Sequence, residues 1–221
     1  MPNKRSVVFA TNEIYHTYNR SVANEEIFNN SRNINRALDL INYYKNLSNL
    51  RFSYFVKLSQ DKKNEHLKSK KIIPLVEVYA FSIMPNHFHL LVRQLSENGI
   101  EKFLSNFQNS FAKYYNIRNK RYGALFQRPF KAKHVAGDKE LLHLSRYIHL
   151  NPVTSFMLDL EELKTSNLTS FPHYLKPVNN LVNSDLIIKL AGSKTKYLQF
   201  VSNQVDYQRK LGKINHLIIK K

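Results

Sequence analysis

An α+β sandwich, an antiparallel sheet with helices packed against it, is the fold class this sequence predicts. Three observations lead there. Runs with apolar residues at every second position recur through the first 150 residues, and between them lie segments whose apolar residues return every three or four positions. At 43% hydrophobic and 12% aromatic, the 221-residue chain also has the material for a packed core, enough for one domain or one domain with an appendage.

The elements follow in order. Residues 15–21 (YHTYNRS) are aromatic and β-branched and predict a first strand, closed by the acidic turn Asn24-Glu25-Glu26. Ile34, Leu38, Ile41, Tyr44 and Leu47 fall three or four apart, which predicts a helix over 33–47 with one buried face. Phe52, Tyr54, Val56 and Leu58 alternate with Arg51, Ser53 and Lys57, the pattern of a half-buried strand, and the polar stretch 59–71 (SQDKKNEHLKSKK) predicts a solvated loop or hairpin extension. Strands are expected over 75–83 and 87–93, broken at Met84-Pro85-Asn86 because Pro denies the ladder a donor. Ile100, Phe103, Leu104, Phe107, Phe111 and Tyr115 form one stripe of a helix over 100–117, and after the turn at Gly123 an extended segment runs over 124–135. Asp138 is placed to cap a helix over 139–149, which Asn151-Pro152 should end, since the residue before Pro avoids helical geometry. Strands and helices in this order predict a ferredoxin-like or RRM-like sandwich. Beyond Pro152 the pattern weakens to short amphipathic pieces such as 197–201 and a basic tail at Ile218-Ile219-Lys220-Lys221, so residues 154–221 read as a basic, mostly helical C-terminal extension of a 1–153 domain.

Charge narrows the function. Lys and Arg number 34 against 16 Asp and Glu, a formal +18, so the natural partners are polyanions, nucleic acid before any anionic membrane surface. The absence of cysteine excludes disulfides, thiolate metal sites, iron–sulfur clusters and cysteine nucleophiles. No stretch approaches the roughly 18 to 20 apolar residues of a membrane span, which predicts a soluble cytoplasmic protein, monomer or homodimer, with no membrane partner.

Three features carry candidate chemistry. Side chains alternate on a strand, so in Pro85-Asn86-His87-Phe88-His89-Leu90 the two imidazoles share one face, where they suit either a shared metal ion or a plain solvated surface. Their place after a Pro-Asn turn, and a matching feature some sixty residues on, favour the metal. That feature is the segment 147–152 (YIHLNP), where His143, Tyr147 and Asn151 recur at i, i+4 and i+8 on one helix face while Leu141, Leu144 and Ile148 point to the sheet. An Asn carbonyl is a hard oxygen ligand that, with two His, leaves open positions for Mg²⁺ or Mn²⁺ to take phosphate oxygens. A phenol becomes a useful nucleophile when a cation holds its electrophile, although a lone tyrosine on a helix far more often belongs to a packed core. Third, no acid occurs between Glu101 and Asp138, where Arg118, Lys120, Arg121, Arg128, Lys131 and Lys133 interleave with Tyr122 and Phe126. Cations neutralise phosphates and exposed rings stack on unpaired bases, so these eight are candidate contacts for single-stranded or hairpin DNA.

Taken together the blocks resemble the single-tyrosine transposases of the HUH nuclease class, and within it the REP-associated tyrosine transposases. The resemblance runs from about Tyr15 to Val153, through YHTYNR at 15–20 with Phe28, IMPNHFHLLV at 83–92, NSFAKYYN at 109–116, GALFQR at 123–128 and YIHLNPV at 147–153. It implies that residues 1–153 are a catalytic domain that cleaves and joins DNA strands on hairpin or repeated palindromic DNA, with His87 and His89 as the metal-binding pair and Tyr147 as the nucleophile that forms a 5′-phosphotyrosine. Asn151 falls where related insertion-sequence transposases carry a glutamine ligand; it keeps the amide oxygen on a shorter reach. The polar insertion at 59–71 is a second departure, and after Val153 the match is loose, through Leu168-Thr169-Ser170-Phe171 and Tyr174. Two rival classes remain: a non-catalytic single-stranded DNA or RNA binding protein with a degenerate site, and a zinc hydrolase on His87 and His89, which lacks a nearby Glu base.

Overall fold

The computed structural model describes residues 7–68, 72–176 and 180–204. Strand β1 (Ile14–Arg20) leads to helix α1 (Ser31–Tyr44), whose first turn is capped by the Asn30 side chain accepting from the Asn33 amide. A two-residue strand β2 (Asn46–Leu47) pairs with β3 (Ile73–Pro74) at the base of an insertion holding α2 (Phe52–Phe55) and α3 (Gln60–Lys68). The long strands β4 (Val76–Met84) and β5 (His87–Gln94) form a hairpin across Pro85-Asn86, and α4 (Gly99–Arg118) returns the chain to β6 (Lys131–His134). The main sheet is antiparallel in the order β4-β5-β1-β6, and with α1 and α4 as the two crossovers this is the βαββαβ connectivity of the ferredoxin-like sandwich.

One sheet face is dry. Phe81, Ile83, Phe88, Leu90 and Val92 point into a cluster with Ile34 and Leu40 of α1 and Phe103, Phe107 and Phe111 of α4. The opposite face is covered by α5 (Asp138–Thr154) and by the helices that follow it, α6 (Leu160–Leu163), α7 (Phe171–Leu175), α8 (Asp185–Ala191) and α9 (Lys194–Ser202). The described part of the stretch after residue 153 is mostly helical, as expected, and is built into this second layer. Leu163, Phe171, Tyr174, Ile187, Tyr197 and Val201 share one apolar cluster with Tyr79, Leu91 and Ile148. Polar ties reinforce it: Ser170 Oγ accepts from the Phe81 amide, Tyr174 donates to the Tyr79 carbonyl, and His149 bridges Ser170 and Tyr197. The basic tail at 218–221 lies outside the described residues. Among those described, no helix is long and apolar enough to cross a membrane.

Four local expectations are corrected. Residues 52–55 are a helical turn rather than part of a strand, because Phe52 and Phe55, three apart, both pack on Tyr43 with ring centroids at 5.3 and 4.7 Å. The polar stretch after Ser59 is not a loop, since residues 60–68 form α3, a helix that buries none of its residues. Helix α1 ends at Tyr44, and Leu47 belongs to the β2–β3 ribbon. Helix α5 begins at Asp138 itself with Gly137 at the cap, and it passes through Pro152 to Thr154 instead of stopping at Asn151. Pro152 costs the helix one amide donor, but its carbonyl accepts from Met157, and the buried ring helps to fix the last turn against the core.

Candidate active site

Strand pairing assembles the site before any helix is added. Directly opposed residues share a face, and the register sets Ser82, His89, Tyr18 and Lys131 in one row across the sheet and Met84, His87 and Arg20 in the next. Because α5 stays helical through Asn151, that side chain stands one turn beyond Tyr147 on the side facing these rows. The result is a cavity of about 430 Å³ lined by His87, His89, Tyr18, Lys131, Tyr147 and Asn151 among others. One chain therefore brings together all four residues that the sequence singled out for metal and nucleophile. The Tyr147 ring lies 6.0 Å from that of His89 and is edge-on to it, and the His87 and His89 rings are 5.2 Å apart.

Each ring is held. His87 Nδ1 is 2.6 Å from Asn86 Oδ1, a contact in which the imidazole N–H donates to the amide carbonyl. His89 Nδ1 is 2.8 Å from His16 Nε2, and the two rings meet edge to edge, nearly coplanar, with centroids 5.0 Å apart. Asn151 Nδ2 donates to Ser82 Oγ at 3.2 Å. Burial drives all three imidazoles toward the neutral form. His16 falls to about 4, chiefly by desolvation and then by the nearby Lys133; His87 falls to about 4 by desolvation and Arg20; His89 falls to about 2, again by desolvation first and then by His16, His87 and Arg20. Neutral imidazoles keep the lone pairs that a metal needs. The Tyr147 phenol is pushed up by burial and by the Tyr18 phenol, so it is protonated at neutral pH even though 43% of the residue is exposed.

Among the described residues no group of three or more His, Cys, Asp or Glu is arranged to hold a metal ion. The donors on hand are two neutral imidazoles and the Asn151 amide, a mixed nitrogen and oxygen set whose chemistry fits a divalent cation with open positions.

The predicted DNA contacts divide. Lys131 lines the cavity that holds the histidine pair. Arg118, Lys120, Tyr122 and Arg128 are exposed, Tyr122 at 93%, and Arg128 borders a second cavity of about 450 Å³ with Gln108 and Asn109. Lys133 is exposed but pairs with Glu140 at 2.8 Å. Phe126 is a correction: at 6% exposure it packs among Phe28, Phe88, Phe107 and Phe111, so its faces are spent on the core and not on a base. Arg121 holds its own loop together, with Nε 2.9 Å from Glu25 and further bonds to Asn116 and the Ala124 carbonyl. His143, one turn before Tyr147 on helix α5, lies outside the cavity lining and meets Phe200 and Arg146.

Three residues at or behind the cavity were missed: Tyr18 and Arg20, which line it, and His16, which contacts His89 from outside it. They alternate along β1, and laying that strand antiparallel to the His87-Phe88-His89 strand would have found them.

Comparison with known proteins gives three results. The family model described as transposase, IS200-like, matches residues 40–151, just over half of the chain. A solved structure, that of a REP-associated tyrosine transposase bound to a REP hairpin, aligns over 82% of this chain and 90% of its own with 11% identity and a TM-score of 0.49. No curated protein matches.

Proposed function

The chain belongs to the IS200-like transposase family, and from that premise we propose that it cleaves and rejoins single-stranded DNA at hairpin or repeated palindromic sequences through a covalent 5′-phosphotyrosine on Tyr147. The observation that carries this reading is the placement of Tyr147, 6.0 Å from His89 on a helix that closes the same cavity.

His87, His89 and Asn151 would hold Mg²⁺ or Mn²⁺, which supplies Lewis-acid polarisation of the scissile phosphate and stabilises charge on the departing 3′ oxygen. The chain's own groups do the rest. Lys131 and Arg20 line the cavity and offer positive charge to the phosphate that enters it. Tyr147 attacks phosphorus as the bond to the 3′ oxygen breaks; the phenol proton passes to solvent water, and the departing 3′ oxygen takes a proton from water to become a free hydroxyl. The phosphodiester becomes a phosphotyrosine ester of similar energy, so the reverse attack by a 3′ hydroxyl reseals a strand without ATP. The exposed Arg118, Lys120, Tyr122 and Arg128 provide charge and one stacking surface for the flanking single strand.

The test is incubation of the full chain with Mn²⁺ and a panel of hairpin oligonucleotides labelled on either side of the cut. Only the label 3′ of the cut is expected to migrate with protein. Tyr147→Phe should bind the same hairpins and lose adduct formation by roughly 10³-fold or more. An adduct on the 5′-side fragment, or one that survives Tyr147→Phe, would sink the assignment, and tight binding without cleavage under all metals would favour a non-catalytic binder.

A further inference from the structure

His16 has no place in the cavity's lining, yet its contact with His89 decides what His89 can do. The strand register opposes His16 to Leu91 and Tyr18 to His89, so His16 stands one diagonal step from His89 on the same sheet face. There its Nε2 reaches His89 Nδ1 at 2.8 Å, both residues being 8% exposed. A nitrogen-to-nitrogen contact of that length holds one proton between two acceptors, and only two arrangements exist. In the first, His16 Nε2–H donates to His89 Nδ1. His89 then carries its own proton on Nε2, both its nitrogens are occupied, and it has no lone pair for a cation. In the second, His89 Nδ1–H donates to His16 Nε2, and His89 Nε2 is left bare. His87 is already fixed in the equivalent state, because an amide oxygen can only accept and Asn86 Oδ1 takes the His87 Nδ1 proton at 2.6 Å.

We propose that His16 is a positioning residue: as an acceptor for the His89 Nδ1–H it sets the tautomer and ring plane that make His89 a metal ligand, as Asn86 does for His87. The inference rests on the metal reading of His87 and His89. It also explains why a histidine stands at position 16. Its ring offers an acceptor nearly coplanar with His89 and also packs at a tilt against Tyr18, with centroids at 5.0 Å to each, which a shorter polar side chain would not do. Orienting partners of this kind are worth about 10- to 100-fold in metal affinity.

The experiment measures Mn²⁺ binding directly, by calorimetry and by electron paramagnetic resonance of free Mn²⁺, on the full chain without DNA. His16→Phe keeps a flat ring and removes the acceptor, and it should weaken Mn²⁺ by about 10- to 100-fold while hairpin binding in metal-free buffer is unchanged. His16→Gln restores an acceptor oxygen and should recover part of the loss. Imidazole nitrogen shifts of the wild-type protein give a readout that needs no variant: His89 should carry its proton on Nδ1. Wild-type Mn²⁺ binding with His16→Phe equal to wild type, or a His89 proton found on Nε2, overturns the positioning role alone. Wild-type protein that binds Mn²⁺ no better than the His87→Ala, His89→Ala double variant overturns the metal reading and this inference with it.

Discussion

His87 and Phe88 are neighbours on β5, yet they face two environments with opposite rules. Phe88 is fully buried, edge-on to Phe107 at 5.2 Å and Phe126 at 5.8 Å, on a face made almost wholly of hydrocarbon. His87 looks the other way, into a row of polar side chains that α5 roofs only in part. A period of two residues thus lets one strand serve as the keel of the fold and the floor of the site. The lesson is that stability and chemistry are separable here residue by residue, and three measurements sharpen or break that separation.

The largest expected effect lies on the dry face. Phe88→Ala should cost about 3–5 kcal/mol, because it removes a ring from a close-packed aromatic cluster that cannot collapse around the gap. A urea midpoint that barely moves would mean that the two faces are not energetically distinct. Acid should act next, and on the other face. His149 is fully buried in α5 between Ser170 Oγ at 2.7 Å and the Tyr197 hydroxyl at 2.9 Å, and burial lowers it from the ordinary 6.5 to about 3. Between those values the unfolded chain takes up a proton that the folded chain does not. The stability that His149 contributes is therefore fully present above pH 6.5 and falls as the pH drops toward 3, by up to about 1.4 kcal/mol per unit, and His16, His87 and His89, lowered by the same burial, steepen the fall. Chemical denaturation at pH 7 and pH 4.5 checks the slope, which His149→Gln should reduce by about one proton's share while the other buried histidines keep theirs. The smallest effect on stability belongs to His87→Ala, within about 0.5–1 kcal/mol, since the half-buried ring bonds only to its neighbour Asn86 in the described structure. The same variant should cut cleavage by more than about 100-fold and leave hairpin binding intact. A large drop in melting temperature would show His87 to be part of the frame.

Most of this arrangement was legible beforehand, for physical reasons. Strands β4 and β5 and helix α4 announce themselves because their burial is one-sided or continuous, and burial writes a period into the sequence. The insertion did not. Residues 52–58 carry apolar side chains at spacings that satisfy both periods, and the choice falls to Tyr43, a tertiary partner that no local window contains. Helix α3 is polar all round, so it leaves no hydrophobic trace to read. At the site, His87, His89, Tyr147 and Asn151 were visible as short spacings and as a resemblance. His16 was not, because a lone histidine acquires meaning only from the strand laid beside it. Phe126 was misjudged for the opposite reason, since aromatics among cations spell a base-stacking surface and a core rim with the same letters.

Helix α5 is bolted down on the side away from the cavity. Ser145 and His149 bond to Tyr197, His149 also bonds to Ser170, and the Arg146 guanidinium lies 4.0 Å over the Phe200 ring. Tyr147 projects from the middle of this pinned rod, so on the proposed chemistry the nucleophile has no stroke of its own. A strand end joined to it stays parked beside the histidine pair. Exchange of one strand for another must then come from the DNA, as one 3′ end leaves the opening and a second threads in. On this reading the pace of rejoining depends on how readily the nucleic acid refolds at the mouth of the cavity.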